Sequence, residues 1–166
     1  EVVRCDSTVF SFVMYEYIYM GGAHGSTQEM GFTYDANTGE LLELSSFGDE
    51  QTIKETAANF IIDTINESSQ QAKDMLFPED DITDGYETTI MESFEGDSAP
   101  EYYLDNRGIT FLYQQYSIAP YAAGIINFTV PYEELEGFNE EYLPEDGFYT
   151  STLSALGFIE KIDINN

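Results

Sequence analysis

Only five of the 166 residues are Lys or Arg, against 32 Asp and Glu, and the formal charge is −27. Phosphate binding depends on clustered basic side chains, so nucleic acid is excluded as a natural partner. An anionic membrane surface is disfavoured for the same reason. A single cysteine, Cys5, rules out an internal disulfide. A single histidine, His24, with no second His or Cys at ligand spacing, leaves no zinc signature. No apolar run reaches the length of a membrane span, and no leader pattern precedes the first apolar segment. Glu1 therefore reads as the edge of a mature protein, with any signal, lipid anchor or membrane helix lying outside the chain.

What the sequence does hold is aromatic. Thirteen Tyr and twelve Phe supply core-forming rings that an acidic disordered tail lacks. The length suits one domain over residues 1–166, which buries roughly two-thirds of its unfolded surface. A charge of this size keeps a protein soluble and attracts basic proteins and cations over about a Debye length, roughly 8 Å at physiological ionic strength.

Residues 2–19 alternate as one long or two short strands, with Val9, Phe12, Met14 and Tyr17 as candidates for burial and a bulge near Ser11 and Phe12. Gly21 to Ser26 interrupts the pattern, and Met30 to Asp35 resumes it as the returning strand of a hairpin. Asn37-Thr38-Gly39 is a second turn, followed by a short strand over Leu41–Leu44. Ile53, Ala57, Phe60, Ile61 and Ile65 recur at helical spacing and predict a helix over Asp49–Lys73 that covers one face of the sheet. Its acidic start suits the helix dipole. Tyr86 to Phe94 is a second helix or a loose segment. Tyr102–Leu104 and Ile109–Tyr113 are strands joined by a tight turn at residues 105–108. A further strand covers Ile126, Phe128 and Val130, and Tyr132 to Leu135 suits one helical turn. Residues 148–165 show no clean alternation. The expected fold is α+β: an antiparallel sheet of hairpins with one main helix packed on one face.

Between the last two strands lies Ser117-Ile118-Ala119-Pro120-Tyr121-Ala122-Ala123-Gly124, where small residues permit close approach and Gly124 suits a positive φ. The string IAPYAAG followed by a strand and VPYEEL resembles the C-terminal domain of RsiV-type lysozyme-sensing anti-sigma factors, a domain also found in PdaC-type peptidoglycan deacetylases. Upstream, the GGAHG run from Gly21 to Gly25, then Phe32 to Asp35 and Asn37 to Leu44, matches in the same order. The two motifs span about residues 15–135. The resemblance implies a non-catalytic recognition domain outside the cytoplasm, whether periplasmic, secreted or on a cell-surface lipoprotein. It implies binding of lysozyme, another basic protein or a cell-wall component such as peptidoglycan. It implies no cofactor, and the catalytic domain of the deacetylases has no counterpart in this chain.

The candidate binding residues are those of the two motifs: Gly22, Ala23, His24, Gly25 and Ser26 in the first, and Tyr116, Pro120 and Tyr121 around the second. His24 reads as a ring fixed by a hydrogen bond in a glycine-shaped turn, or as a partner contact. The tyrosines read as packing rings, or as a protein-binding hot spot if exposed. Asp80-Asp81-Ile82-Thr83-Asp84-Gly85 begins like a calcium loop, but Ile82 and Met91 stand where oxygen ligands are required. The alternative function is a small envelope hydrolase, which would bury carboxylates with shifted pKa values in a cleft.

Overall fold

The computed structural model describes residues 1–78 and 85–144. It has an α+β architecture of two three-stranded antiparallel sheets and one long helix. In the N-terminal sheet, β1 (Val2–Cys5) pairs with β2 (Val9–Ile18), which pairs with β3 (Ser26–Asp35). In the central sheet, β4 (Glu101–Leu104), β5 (Gly108–Tyr113) and β6 (Ile126–Pro131) lie in sequence order. The β2–β3 and β4–β5 hairpins are those the alternation predicts, with β3 starting at Ser26 rather than Met30, but the expected single sheet is divided into two.

The first chain segment forms two strands, and the expected bulge falls on β1. Val2 pairs with Phe12 and Arg4 with Ser11, so Val3 is the extra residue. The inward phase of β2 is Val9, Ser11 and Val13, all buried. Phe12 and Met14 are therefore on the opposite face, where Phe12 stacks on Phe32 and Met14 is 45% exposed. Tyr17 shares the phase of Val9 but lies beyond the core and is 66% exposed. Ser11 is satisfied in the interior by the Thr33 hydroxyl at 3.0 Å and the Phe32 carbonyl at 3.1 Å.

The long helix is shorter than expected. α1 runs Glu50–Glu67, capped by the Asp49 carboxylate on the Thr52 amide, and a separate turn, α2, covers Gln70–Lys73. Ser68 and Ser69 separate them: Ser68 leaves the helical conformation, and Ser69 accepts the Ala72 amide as a new N-cap. Ile53, Ala57, Ile61 and Ile65 are buried as the spacing predicts, whereas Phe60 only packs at the edge. Ala58 and Lys54 take the remaining inward positions, the Lys54 ammonium being held by Glu50 and by the Gly96 carbonyl. Leu41–Leu44 forms no strand: a single bridge joins Leu41 to Tyr34, and Leu44 starts a 3₁₀ turn. α3 (Tyr86–Ser93) buries Ile90 beside α1. Tyr132–Glu134 is one 3₁₀ turn. The acidic run over residues 80–84 and the segment 148–165 lie outside the described residues.

The main core lies between α1, α3 and the face of the central sheet bearing Ile109, Phe111, Tyr113 and Val130. The two sheets meet along β3 and β4. The Gly31 Cα is so close to the Tyr102 carbonyl that a Cβ would sit 1.9 Å from that oxygen. Beside this contact, the Gln114 side chain accepts the Glu29 amide at 3.1 Å and donates to the Glu29 carbonyl at 2.8 Å. One side-chain amide thus pairs with β3 as a strand residue would. A second tie is buried: Arg4 bonds Asp6 at 2.6 Å, the Tyr132 hydroxyl at 2.9 Å and the Tyr142 carbonyl at 2.7 Å, joining β1 to the segment after β6.

Candidate functional site

The two motif loops, far apart in sequence, come together at the end of the β2–β3 hairpin. Gly21 and Gly22 carry the turn with φ of +89° and +104°, a region costly for any residue with a Cβ. The Gly22 carbonyl accepts the Tyr19 hydroxyl at 3.1 Å. The hairpin closes at Ile18 opposite Ser26. The Tyr17 ring end lies over Gly25, where a Cβ would come within 2.4 Å of it and turn that exposed ring aside.

The second loop is anchored from beneath. Ile118 and Ala119 are buried, and the Ile118 carbonyl accepts the Phe77 amide at 2.9 Å. Pro120 then starts a 3₁₀ turn over Tyr121–Ala123, which Gly124 ends at φ +75°. This places Tyr121 against the first loop. Its hydroxyl donates to the Gly25 carbonyl at 3.0 Å, and its ring stacks on His24 with centroids 3.9 Å apart. His24 Nδ1 also lies 2.9 Å from the Gly25 carbonyl. A carbonyl can only accept, so Nδ1 carries a proton and Nε2 of a neutral ring remains an acceptor.

Tyr116 extends the stack, its ring 5.8 Å from that of Tyr121. It is 57% exposed and holds φ +69°, the one left-handed residue other than glycine among those described. The adjoining Gln115 accepts the Thr27 amide at 3.1 Å, so the tyrosine-bearing turn is pinned to β3. Of the eight residues singled out in the sequence, His24, Gly25, Tyr116 and Tyr121 form one cluster. Gly22, Ser26 and Pro120 shape its backbone. Ala23 is exposed and makes no described contact.

The sequence reading missed Tyr19 and the two glutamines and assigned Tyr17 to the core. The glutamines carried no signal, but the tyrosines did, in the odd-numbered Tyr15, Tyr17 and Tyr19, which continue past the last buried residue of β2. Together with Met20, which is 92% exposed, they give the hairpin end an apolar surface.

The carboxylates behave differently. Burial pushes the Glu29 carboxyl up, the charge of Glu1 adds to this, and a bond from Asn127 opposes it. Burial likewise raises Tyr103 to about 12, with Asp105 contributing. Among the described residues no cluster of three or more His, Cys, Asp or Glu forms a cation site, and no helix is long and apolar enough to cross a membrane.

Two solved structures share this fold. A member of the DUF3298 family from Bacteroides fragilis NCTC 9343 superposes with a TM-score of 0.59 at 24% identity, covering 85% of this chain and 53% of its own. A DUF3298 family protein from Pseudomonas aeruginosa PAO1 gives 0.62 at 22% identity, covering 87% and 62%. The chain thus spans between half and two-thirds of the length of these relatives. No curated protein matches it. The family model for DUF3298, a protein of unknown function, matches residues 47–133, from just before the long helix to just past β6, and so includes the turn carrying Tyr116 and Tyr121. The His24 hairpin lies outside that match, but the match covers just over half of the chain, and the chain belongs to the DUF3298 family.

Proposed function

We propose that this domain is a non-catalytic recognition module that acts outside the cytoplasm and binds a basic protein, lysozyme being the type of partner that the resemblance to RsiV-type sensors implies. One observation carries the reading: Tyr116 holds a left-handed backbone while its ring stays exposed beside Tyr121 and His24. That conformation costs of order 1 kcal/mol or more and leaves the ring more than half exposed, a pattern found where function sets the geometry. Rigid aromatic rings on a pinned turn suit a binding hot spot. The field of a −27 chain adds attraction for a cationic partner.

The two contributions separate by experiment. Binding to hen lysozyme is measured at physiological ionic strength by surface-based kinetics. Raising salt slows association through screening, while Tyr121→Ala speeds dissociation by about tenfold or more because a packed contact is lost. Absence of binding at physiological salt rejects lysozyme as partner. Binding that disappears with salt yet ignores Tyr121→Ala reduces to nonspecific charge attraction. Purified peptidoglycan serves as the parallel probe for the cell-wall alternative.

A further inference from the structure

The strand β6 is the outer strand of the central sheet, and its register shows which backbone groups face outward. The Tyr132 amide donates to the Arg107 carbonyl, and Ile109 pairs with Val130. Bonded pairs alternate in an antiparallel ladder, so Ile126, Phe128 and Val130 exchange their bonds with β5. The peptide groups of Asn127 and Thr129 point the other way. Among the described residues no backbone group pairs with them.

Beside this edge is a cavity of about 280 Å³. Ile126 and Phe128 form its strand side, Thr64, Ile65 and Ser68 its α1 side, and Met75 its far wall. An added strand on β6 would direct every second side chain onto the face shared by Ile126 and Phe128, and hence into the cavity. The surrounding charge is negative. Glu67 and Asp74 are exposed and interleave the lining residues, while Lys73, the one ammonium adjoining them among the described residues, is engaged by the Asn66 carbonyl at 2.6 Å.

We propose that the β6 edge and this cavity form a docking site for an extended cationic peptide segment of another protein, which adds as a strand and seats one bulky apolar side chain between β6 and α1. Backbone pairing supplies affinity, the cavity selects the apolar side chain, and the acidic rim selects flanking Lys or Arg. A second copy of this chain is opposed by its own charge. The cavity shares the Tyr121–Ala123 turn with the aromatic cluster through Ala123, but none of the cluster's rings lines it, and the proposal does not depend on what that cluster binds.

The test uses the full chain and the blocked peptide acetyl-Lys-Thr-Leu-Thr-Lys-Lys-amide at physiological ionic strength, with amide exchange read by NMR. Asn127 and Thr129 exchange fast without peptide and slow by about tenfold or more with it. Replacing the peptide lysines by glutamates, or methylating the nitrogens flanking its leucine, weakens binding by about tenfold. Thr64→Arg, at an exposed position on the cavity mouth, does the same, while Asn59→Arg, at an exposed α1 position outside the lining, has no effect. Slow exchange before peptide is added means that another part of the chain or a second copy already covers the edge, and overturns the proposal. Equal binding of the glutamate peptide, or indifference to Thr64→Arg, overturns it as well.

Discussion

His24 and Tyr121 lie face to face, 3.9 Å between ring centroids and 28° between planes, and both reach the same Gly25 carbonyl. That shared acceptor ties the hairpin to the turn after β5, so the rings keep their arrangement without a core beneath them. Tyr17 packs over the same Gly25. The cluster is therefore preorganised, which lowers the ordering cost of any contact made through it.

Tyr116→Gly separates stability from recognition. Glycine relieves the left-handed strain and removes the exposed ring, so the fold gains up to about 1 kcal/mol, less the greater entropy of the unfolded glycine chain. If the domain binds lysozyme as proposed, that affinity falls at the same time. Urea unfolding and binding kinetics on the same variant read the two effects, and a loss of stability would show that the Tyr116 ring supports the fold.

Arg4→Met leaves a buried carboxylate without its cation. A cost of about 3–5 kcal/mol is expected in urea unfolding, and adding Asp6→Asn recovers much of it. Burial alone would raise the Asp6 carboxyl, but Arg4 and the Val9 and Thr8 amides outweigh it and hold it below the ordinary carboxylate value. This contribution is present above the unfolded carboxylate pKa and is lost as pH falls through the lower folded value. Wild type should lose stability on acidification more steeply than the double variant does.

Glu29 has the opposite sign. Its carboxyl is raised on folding, chiefly by burial, so the folded state holds the proton more tightly than the unfolded chain. Its contribution is full below the unfolded carboxylate pKa and is lost as pH rises through the folded value. Glu29→Gln should therefore raise the melting temperature at neutral pH, with the gain shrinking as both carboxyls become protonated in acid. A lowered melting temperature at pH 7 would mean that the ionised carboxylate supports the junction.

The sequence carried the hairpins because alternation and turn chemistry are local signals: the Asn37-Thr38-Gly39 turn forms with Gly39 at φ +73° and the Asp35 carboxylate accepting the Asn37 and Thr38 amides. Phase was harder to read. Phe12 and Met14 are more apolar than Ser11, yet Ser11 faces inward because Thr33 provides a bonded partner there. The helix break at Ser68–Ser69 was legible as a capping residue followed by helix formers, but apolar spacing continued through it. Phe60 shows the same limit: its spacing fits, yet the buried stripe of α1 is centred between Ile53, Ala57, Ile61 and their neighbours Lys54 and Ala58, which leaves Phe60 at the margin. At the site, glycine and proline marked both loops. Their meeting depends on Gln114, Gln115 and Gly31, contacts between strands distant in sequence that no local pattern records.

The Gln114 junction also depends on its side chain remaining an amide. Its amide must donate with one end and accept with the other to match the Glu29 peptide. Hydrolysis of that amide to a carboxylate removes the donor and sets a negative charge against the Glu29 carbonyl oxygen. A change of one atomic mass unit, invisible to folding at synthesis, would then loosen the seam between the sheets and, through the neighbouring Gln115 and Tyr116, the aromatic cluster.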